Sequence, residues 1–426
     1  MPRFTQWIRG LVGGKQAPDV DPSTPLESSQ PMDAKPRAWA VDSVAERAND
    51  FALAMHRELG RRPGNLFFSP FSLRTVLGMA LAGARGETAA QIGKALRASF
   101  EGETLHAALG GVVRLLDTAR GGGCEIAVAN SLWAQVGAPL EAGFLDLMTR
   151  HYGGAVYLVD FRRDLEGART SINKWVEDRT RRKIRELVPP RGVGAETRLA
   201  LANAVHFKGK WRYPFSKTAT RDEPFRLESG ATVLAPLMCE QADVWYAGGD
   251  GYHAVDLPYE SGRISMLTLL PYRPDGLLDL EKKLSTRMLR ECAERMTLRE
   301  VRLFLPRFRL ERGTIDMAAP LEALGMTLPF NQAQADFSGI NGRRPPDDEA
   351  LFFSAVFHQA LVEVNEEGTE AAAATVAAME ATATPASAKR RVPVFRADHP
   401  FLFAIRHRRS GEILFVGRMA DPTRPD

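Results

Sequence analysis

The run Glu363-Val-Asn-Glu-Glu-Gly-Thr-Glu-Ala-Ala-Ala-Ala-Thr-Val-Ala-Ala-Met379 decides how this chain is read. Its alanines favour helix, because alanine has the best helix propensity. Gly368 interrupts the run at its start, however, and glycine is the residue used where a backbone must bend. With a period of two, one face is Thr369, Ala371, Ala373, Thr375, Ala377 and Met379, uncharged and nearly without bulk. The other face is Glu370, Ala372, Ala374, Val376, Ala378 and Glu380, and it holds both acids. Such a segment suits a strand that slides into a sheet with its small face over a packed core.

Around this run the composition is that of a soluble globular protein: 44% apolar and 25% charged over 426 residues. That length suits one large domain or two ordinary ones. The balance of 56 basic against 52 acidic residues leaves +4, too little to argue for a nucleic-acid partner. Cys124, Cys239 and Cys292 lie far apart and supply neither a disulfide framework nor a metal knuckle. No stretch approaches the roughly 20 apolar residues of a membrane helix. The chain contains no GxSxG, HExxH or P-loop motif, and its histidines form no pair at metal-ligand spacing. Neither an enzyme site, a metal nor a cofactor is expected.

Residues 1–40 read as a disordered leader and linker. Phe4, Trp7, Ile8, Leu11 and Val12 follow helical spacing, which leaves a short membrane-surface or targeting helix as the alternative, but no continuous apolar core or cleavage site of a signal peptide accompanies them. Lys15 to Arg37 is rich in Pro, Asp and Ser. The folded domain is expected over 41–426. Val44, Phe51, Met55 and Leu59 mark a helix, followed by helices over Val76 to Ala82 and Ala89 to Leu96. Ile126 to Trp133 and Leu199 to Phe207 read as buried strands. Between them, Ile172, Trp175, Val176, Ile184 and Leu187 mark an amphipathic helix ended by Pro189-Pro190. Strands dominate the second half: Ala254 to Leu257, Ile264 to Leu270, Val301 to Leu305, Leu361 to Val364, Phe401 to Ile405 and Ile413 to Val416. Helices first and strands later predict an α+β fold.

From Val41 to Pro422 the chain resembles a serpin. The motifs Asn65-Leu-Phe-Phe-Ser-Pro-Phe-Ser72, Gly83-Ala-Arg-Gly-Glu-Thr88, Ile172-Asn-Lys-Trp-Val176 and Asn203-Ala-Val-His-Phe-Lys-Gly-Lys-Trp211 stand in that family's order. Leu257-Pro-Tyr259, Leu305-Pro-Arg-Phe308, Ala335-Asp-Phe-Ser-Gly-Ile340 and His358-Gln-Ala-Leu-Val-Glu-Val-Asn-Glu-Glu-Gly-Thr369 follow. Asp398-His-Pro-Phe-Leu-Phe403 and Phe415-Val-Gly-Arg418 close the series.

The resemblance implies three β-sheets, about nine helices and an exposed reactive-centre loop that a serine protease attacks as a suicide substrate. The protease would be held as a covalent acyl-enzyme while the cut loop inserts into the main sheet. The reactive bond is placed at Thr382–Ala383, with Ala381 and Thr384 as alternatives. The hinge is Glu366, Glu367, Gly368, Thr369, Glu370, Ala371, Ala372, Ala373, Ala374 and Thr375. A shutter of Ser69, Ser72, Asn203 and His358, and a breach of Trp211, Arg307 and Glu366, are carried over in the same way. Small residues before the bond suit elastase- or subtilisin-like proteases. Lys389-Arg-Arg391 is read as a solvated charge run, since cutting there would make the inserted strand too long. The small, uncharged hinge face favours an inhibitor over a non-inhibitory binding or chaperone serpin; a papain-like cysteine protease is an alternative target. The resemblance further implies a monomer able to polymerise by loop–sheet exchange, in an extracellular or cell-envelope setting, with a cytoplasmic one as the alternative. Arg179-Thr-Arg-Arg-Lys183 reads as the solvated face of its helix rather than a polyanion site. Only Arg114 and Arg120 are basic between Glu101 and Arg120, so glycosaminoglycan activation is not expected.

Overall fold

A computed structural model describes residues 44–98, 102–118, 123–311, 313–369 and 392–424. Six helices fall in the first half: α1 (Val44–Leu59), α2 (Pro70–Gly83), α3 (Gly86–Ala95), α4 (Gly102–Thr118), α5 (Ala142–Tyr152) and α6 (Leu165–Arg179). Shorter ones follow: α7 (Leu277–Lys283), α8 (Thr286–Arg295), α9 (Ala318–Ala323) and α10 (Ser338–Asn341). The strands in chain order are β1 (Leu66–Phe68), β2 (Cys124–Gln135), β3 (Val156–Val159), β4 (Leu199–Lys210), β5 (Arg221–Arg226), β6 (Thr232–Gly249), β7 (Tyr252–Pro258) and β8 (Ile264–Pro271). They continue with β9 (Thr297–Pro306), β10 (Phe308–Leu310), β11 (Ile315–Asp316), β12 (Phe353–Asn365), β13 (Gly368–Thr369), β14 (Val394–Arg396), β15 (Phe401–His407) and β16 (Ile413–Met419).

Seven strands form one sheet in the order β10-β12-β13-β4-β2-β3, with β11 also on β12. The other nine run β1-β16-β15-β8-β7-β6-β9-β14, with β5 on β6. The 18 residues of β6 serve two layers, its start pairing with β5 and its end with β7. The fold is α+β.

The seven-stranded sheet is built on period-two alternation. Along β4, Leu199, Leu201, Val205 and Phe207 enter the central core, while Ala200, Ala202 and Ala204 face Ile172 and Val176 of α6. Alanines on that face let the helix approach the strand closely. Trp175 Nε1 donates to Tyr157 Oη at 2.7 Å, and Tyr157 stacks on Trp133 at 4.5 Å, which ties α6 to β2 and β3. On the core side, α2 starts at Pro70 because Ser69 caps it, its hydroxyl accepting from the Ser72 N–H at 3.2 Å. Beneath α2 and the sheet, Phe67 stacks on Phe415 at 5.4 Å and on Phe403 at 5.9 Å. Ring pairs of this kind contribute about 0.5–1.5 kcal/mol beyond their buried area.

Two expected boundaries are corrected. The helix beginning near Val76 starts six residues earlier, at Pro70, because its cap lies in the polar pair Ser69 and Ser72 rather than in the apolar pattern. The α6 helix ends at Arg179, not at Pro189. Thr180 stops it: the buried hydroxyl donates to Val176 O at 2.8 Å and accepts from Ile184 N at 3.1 Å, and Arg181 and Arg182 take positive φ. Ile184 and Leu187 are buried all the same, in the segment that follows.

Four buried histidines make the fold acid-sensitive. Burial lowers His106, His206 and His407 from 6.5 to about 4, and His358 to about 3. Lysine and arginine neighbours add to the effect at His206 and His407. The unfolded chain therefore binds more protons than the folded one as pH falls below about 6.5, and each such group withdraws about 1.4 kcal/mol per pH unit until its folded value is reached. The melting temperature is expected to drop by several degrees between pH 6.5 and 5. A flat profile over that window would show that these rings are not held neutral.

Candidate functional site

Between β4 and β12 the seven-stranded sheet is joined by eight parallel residue pairs, from Phe353↔Leu199 to Leu361↔His206. Across this junction the register places Asn130 of β2 opposite Asn203 of β4, and Asn203 opposite His358 of β12. All three side chains lie on the core face, where α2 packs. His358 Nε2 accepts the Ser69 backbone N–H at 3.2 Å, so the ring's proton is on Nδ1, which donates to Asn203 Oδ1. The Asn203 amide donates to Ser72 Oγ at 2.6 Å and to Asn130 Oδ1, and Ser72 Oγ donates to Asn130 Oδ1 at 2.9 Å. Ser69 Oγ donates to Leu414 O at 2.7 Å. The four shutter residues are thus brought together in one buried network, and His358 is neutral within it. Asn130 completes it and went unremarked in the sequence reading. Its signal is a lone polar residue on the face Ile126, Val128, Asn130, Leu132, otherwise apolar at every second position.

At the head of the same junction the two strands part, and Gly368–Thr369 lies between them. Thr369 pairs with Val364 of β12 and Gly209 of β4, antiparallel to both. Gly368 has φ +153°, and a Cβ there would overlap the Gly209 carbonyl oxygen and stand 2.6 Å from Lys210 Cα. Only glycine fits this approach of two backbones. The Thr369 side chain is fully buried, its hydroxyl 2.7 Å from the Tyr259 hydroxyl, and Tyr259 stacks on Trp211 at 4.6 Å.

The chain leaving β4 grips the residues just before this point. Trp211 Nε1 donates to Asn365 O at 2.9 Å, Trp211 N to Glu367 O at 2.9 Å, and Phe215 N to Glu366 O at 2.8 Å. The buried Glu366 carboxylate accepts from Thr220 Oγ1 at 2.8 Å and pairs with Arg307. Burial pushes its pKa up, but the hydrogen bonds from Arg307 and Thr220 outweigh it and hold the group below its ordinary 4.5. Lys217 pairs with Glu367. Trp211, Arg307 and Glu366 therefore meet at one place, as do Glu366, Glu367, Gly368 and Thr369. Thr220 and Tyr259, which sequence reasoning missed, belong there too. Glu370, Ala371, Ala372, Ala373, Ala374 and Thr375 lie outside the described residues, as do Ala381, Thr382, Ala383 and Thr384.

A Glu366→Lys variant is expected to loosen this point. Arg307 is half exposed, so charge repulsion is screened and the main loss is the buried hydrogen bond to Thr220, about 1–3 kcal/mol. After mild heating, native gels should show a ladder of oligomers formed by exchange of unpaired strands. A single band matching the unsubstituted protein would rule out a gripping role for Glu366.

Among the described residues no group of His, Cys, Asp and Glu could hold a metal, and no helix is long and apolar enough to cross a membrane. The family model for serpins (serine protease inhibitors) matches residues 46–422. The chain is 40% identical over 372 residues to the leukocyte elastase inhibitor of Bos taurus, covering 84% of this chain and 93% of that protein. It is 37% identical to Serpin B8 of Bos taurus, covering 90% of this chain and all of that one. The structure of Arabidopsis AtSerpin1 in its native stressed conformation superposes with a TM-score of 0.77 at 28% identity, over 89% of this chain and 98% of that one. The chain belongs to the serpin family of serine protease inhibitors. Similarity to leukocyte elastase inhibitors and B-type serpins does not support the extracellular placement that the resemblance implied.

Proposed function

We propose that the chain traps a serine protease as a suicide substrate, with strand insertion between β4 and β12 as the trapping step. The observation that carries this reading is the position of Gly368–Thr369, already paired between the two strands and antiparallel to both. Extending that pairing would replace one parallel junction by two antiparallel ones, the somewhat more stable arrangement. The 12 residues of β4 and 13 of β12 would receive roughly 14 inserted residues, about 45 Å of strand, which matches a cut near Thr382–Ala383. At about 1 kcal/mol of net gain per hydrogen bond, insertion supplies on the order of 10 kcal/mol, enough to make the step irreversible. The nucleophile of the protease would remain esterified to the residue before the cut.

Elastase-like and subtilisin-like proteases are the targets favoured by the small residues before the cut, and the similarity to leukocyte elastase inhibitors supports the first. The free thiols Cys124, Cys239 and Cys292 suit a reducing compartment, and a cytoplasmic setting is the one retained. Incubation with elastase, subtilisin and trypsin, followed by denaturing gels and sequencing of the cut loop, tests the reading. An SDS-stable complex with a cut within two residues of Thr382 is expected; cleavage by every protease without such a complex would sink it.

A further inference from the structure

One row of charged residues crosses the junction between β4 and β12 on the side that faces α6. Register pairs Glu125 with Lys208, and Arg309 with Glu363. Lys208 lies two residues beyond His206, whose partner Leu361 is two residues before Glu363, so alternation puts all four on one face. Arg181 Nη1 reaches Glu125 Oε1 at 2.5 Å, which holds the segment after α6 down over the row. That segment adds Arg182, Lys183 and Arg185, all exposed. Arg309 faces Glu363 at 3.7 Å and pairs with Glu311. Among the described residues, Arg182, Arg185 and Lys208 have no carboxylate within 4.0 Å.

Two features separate this cluster from an ordinary solvated run. First, Arg181 and Arg182 lie past the end of α6 in the left-handed region, at φ 53° and 64°. Two consecutive side-chain-bearing residues there are strained, and the buried Thr180 hydroxyl keeps them so. Strain held by a buried network at exposed cations is the pattern of a site. Second, cations from three elements converge: Arg181 and Lys183 of the segment, Lys208 of β4 and Arg309 of β10 all act on the buried His206 beneath them, adding to the effect of its burial.

We propose that this row binds a short polyphosphate chain, which ties the segment after α6 and β4 to β10 across the junction and so slows strand entry. The effect on entry rests on the insertion reading above. Guanidinium forks suit bidentate phosphate binding, and Lys208 supplies a point charge between them. The strands β4 and β10 are three spacings apart, about 14 Å, so a ligand reaching both must carry several charges in line. Within the row the Glu125 and Glu363 carboxylates are each faced by an arginine, Arg181 at 2.5 Å and Arg309 at 3.7 Å, while Glu177 and Asp178 before the segment and Glu311 beyond Arg309 limit it at either end. That favours a compact, densely charged chain over a long sulfated polysaccharide.

The test uses the full chain with tripolyphosphate as the probe. Calorimetry at low salt should show binding much stronger than that of orthophosphate. Arg182→Gly, which relieves the left-handed strain, and Lys208→Ala should each weaken it by about three- to tenfold. Tripolyphosphate should also slow complex formation with subtilisin in the unsubstituted protein more than in either variant. Equal affinity in both variants would mean an adventitious ion only and would overturn the proposal, as would a heparin fragment binding more tightly than tripolyphosphate. Binding that depends on Arg182 and Lys208 in a protein that traps no protease would support the site while removing the insertion reading.

Discussion

A Thr369→Arg variant should be cut by its target protease at the normal rate yet form almost no SDS-stable complex. Thr369 is the first side chain of the hinge to enter the core face, where it is fully buried against Tyr259, and Tyr259 is itself fully buried. An arginine there would bring a charge under the sheet against Tyr259, on whose ring Trp211 and Phe207 pack. The cost of an unpaired buried charge is several kcal/mol, which slows insertion by about 100-fold or more. Insertion then loses its race with hydrolysis of the acyl-enzyme, and the inhibitor becomes a substrate. Measuring the moles of variant consumed per mole of subtilisin or elastase inactivated checks this. Thr369→Ser, which keeps the hydroxyl, should remain an inhibitor. If the arginine variant traps as efficiently as the unsubstituted protein, insertion does not pass through this position.

Asn203→Ala is expected to have the largest effect on stability. Its amide bridges three elements, accepting from His358 and donating to Ser72 and Asn130. Removal leaves the Nδ1–H of the fully buried, neutral His358 without its acceptor and takes one donor each from Ser72 and the half-buried Asn130. At about 1–3 kcal/mol per unsatisfied group, the loss is about 3 kcal/mol or more, and the melting temperature should fall by roughly 5 °C or more. Because the network joins β2, β4 and β12 across the line where the sheet would part, the variant should also oligomerise faster on mild heating. Thermal melts and native gels give both readouts. A melting temperature within about 1 °C of the unsubstituted protein would mean that the network does not hold the sheet closed.

Regular patterns were legible without coordinates. The alternation along Leu199 to Phe207, the apolar runs at Ile264 to Leu270 and Phe401 to Ile405, and the apolar spacing of Val44 to Leu59 all lie in the elements expected. Each reflects one-sided or complete burial, which leaves a period in the chain. The long β6 had no such mark, because its buried residues follow no single period and its two ends serve different neighbours. The end of α6 was misjudged for a different reason. Ile184 and Leu187 are buried, so their spacing continues the helical pattern, while the stop is set by the Thr180 hydroxyl and two arginines at positive φ.

The candidate site shows the same division. Its residues were recognisable in type and order, but Ser69 and His358, or Asn203 and Ser72, are separated by 289 and 131 positions, and no local rule joins them. By itself the sequence determined the class of fold, the family and the small, uncharged face of the hinge, because propensity, alternation and ordered motifs are properties of the chain. Only the tertiary structure decided that Asn130 completes the buried network, that Tyr259 and Thr220 join the hinge, that Gly368 meets the Gly209 backbone, and that Arg181, Lys183, Lys208 and Arg309 gather around His206. Those depend on strand register, and register is a relation between distant segments that is settled when the core packs.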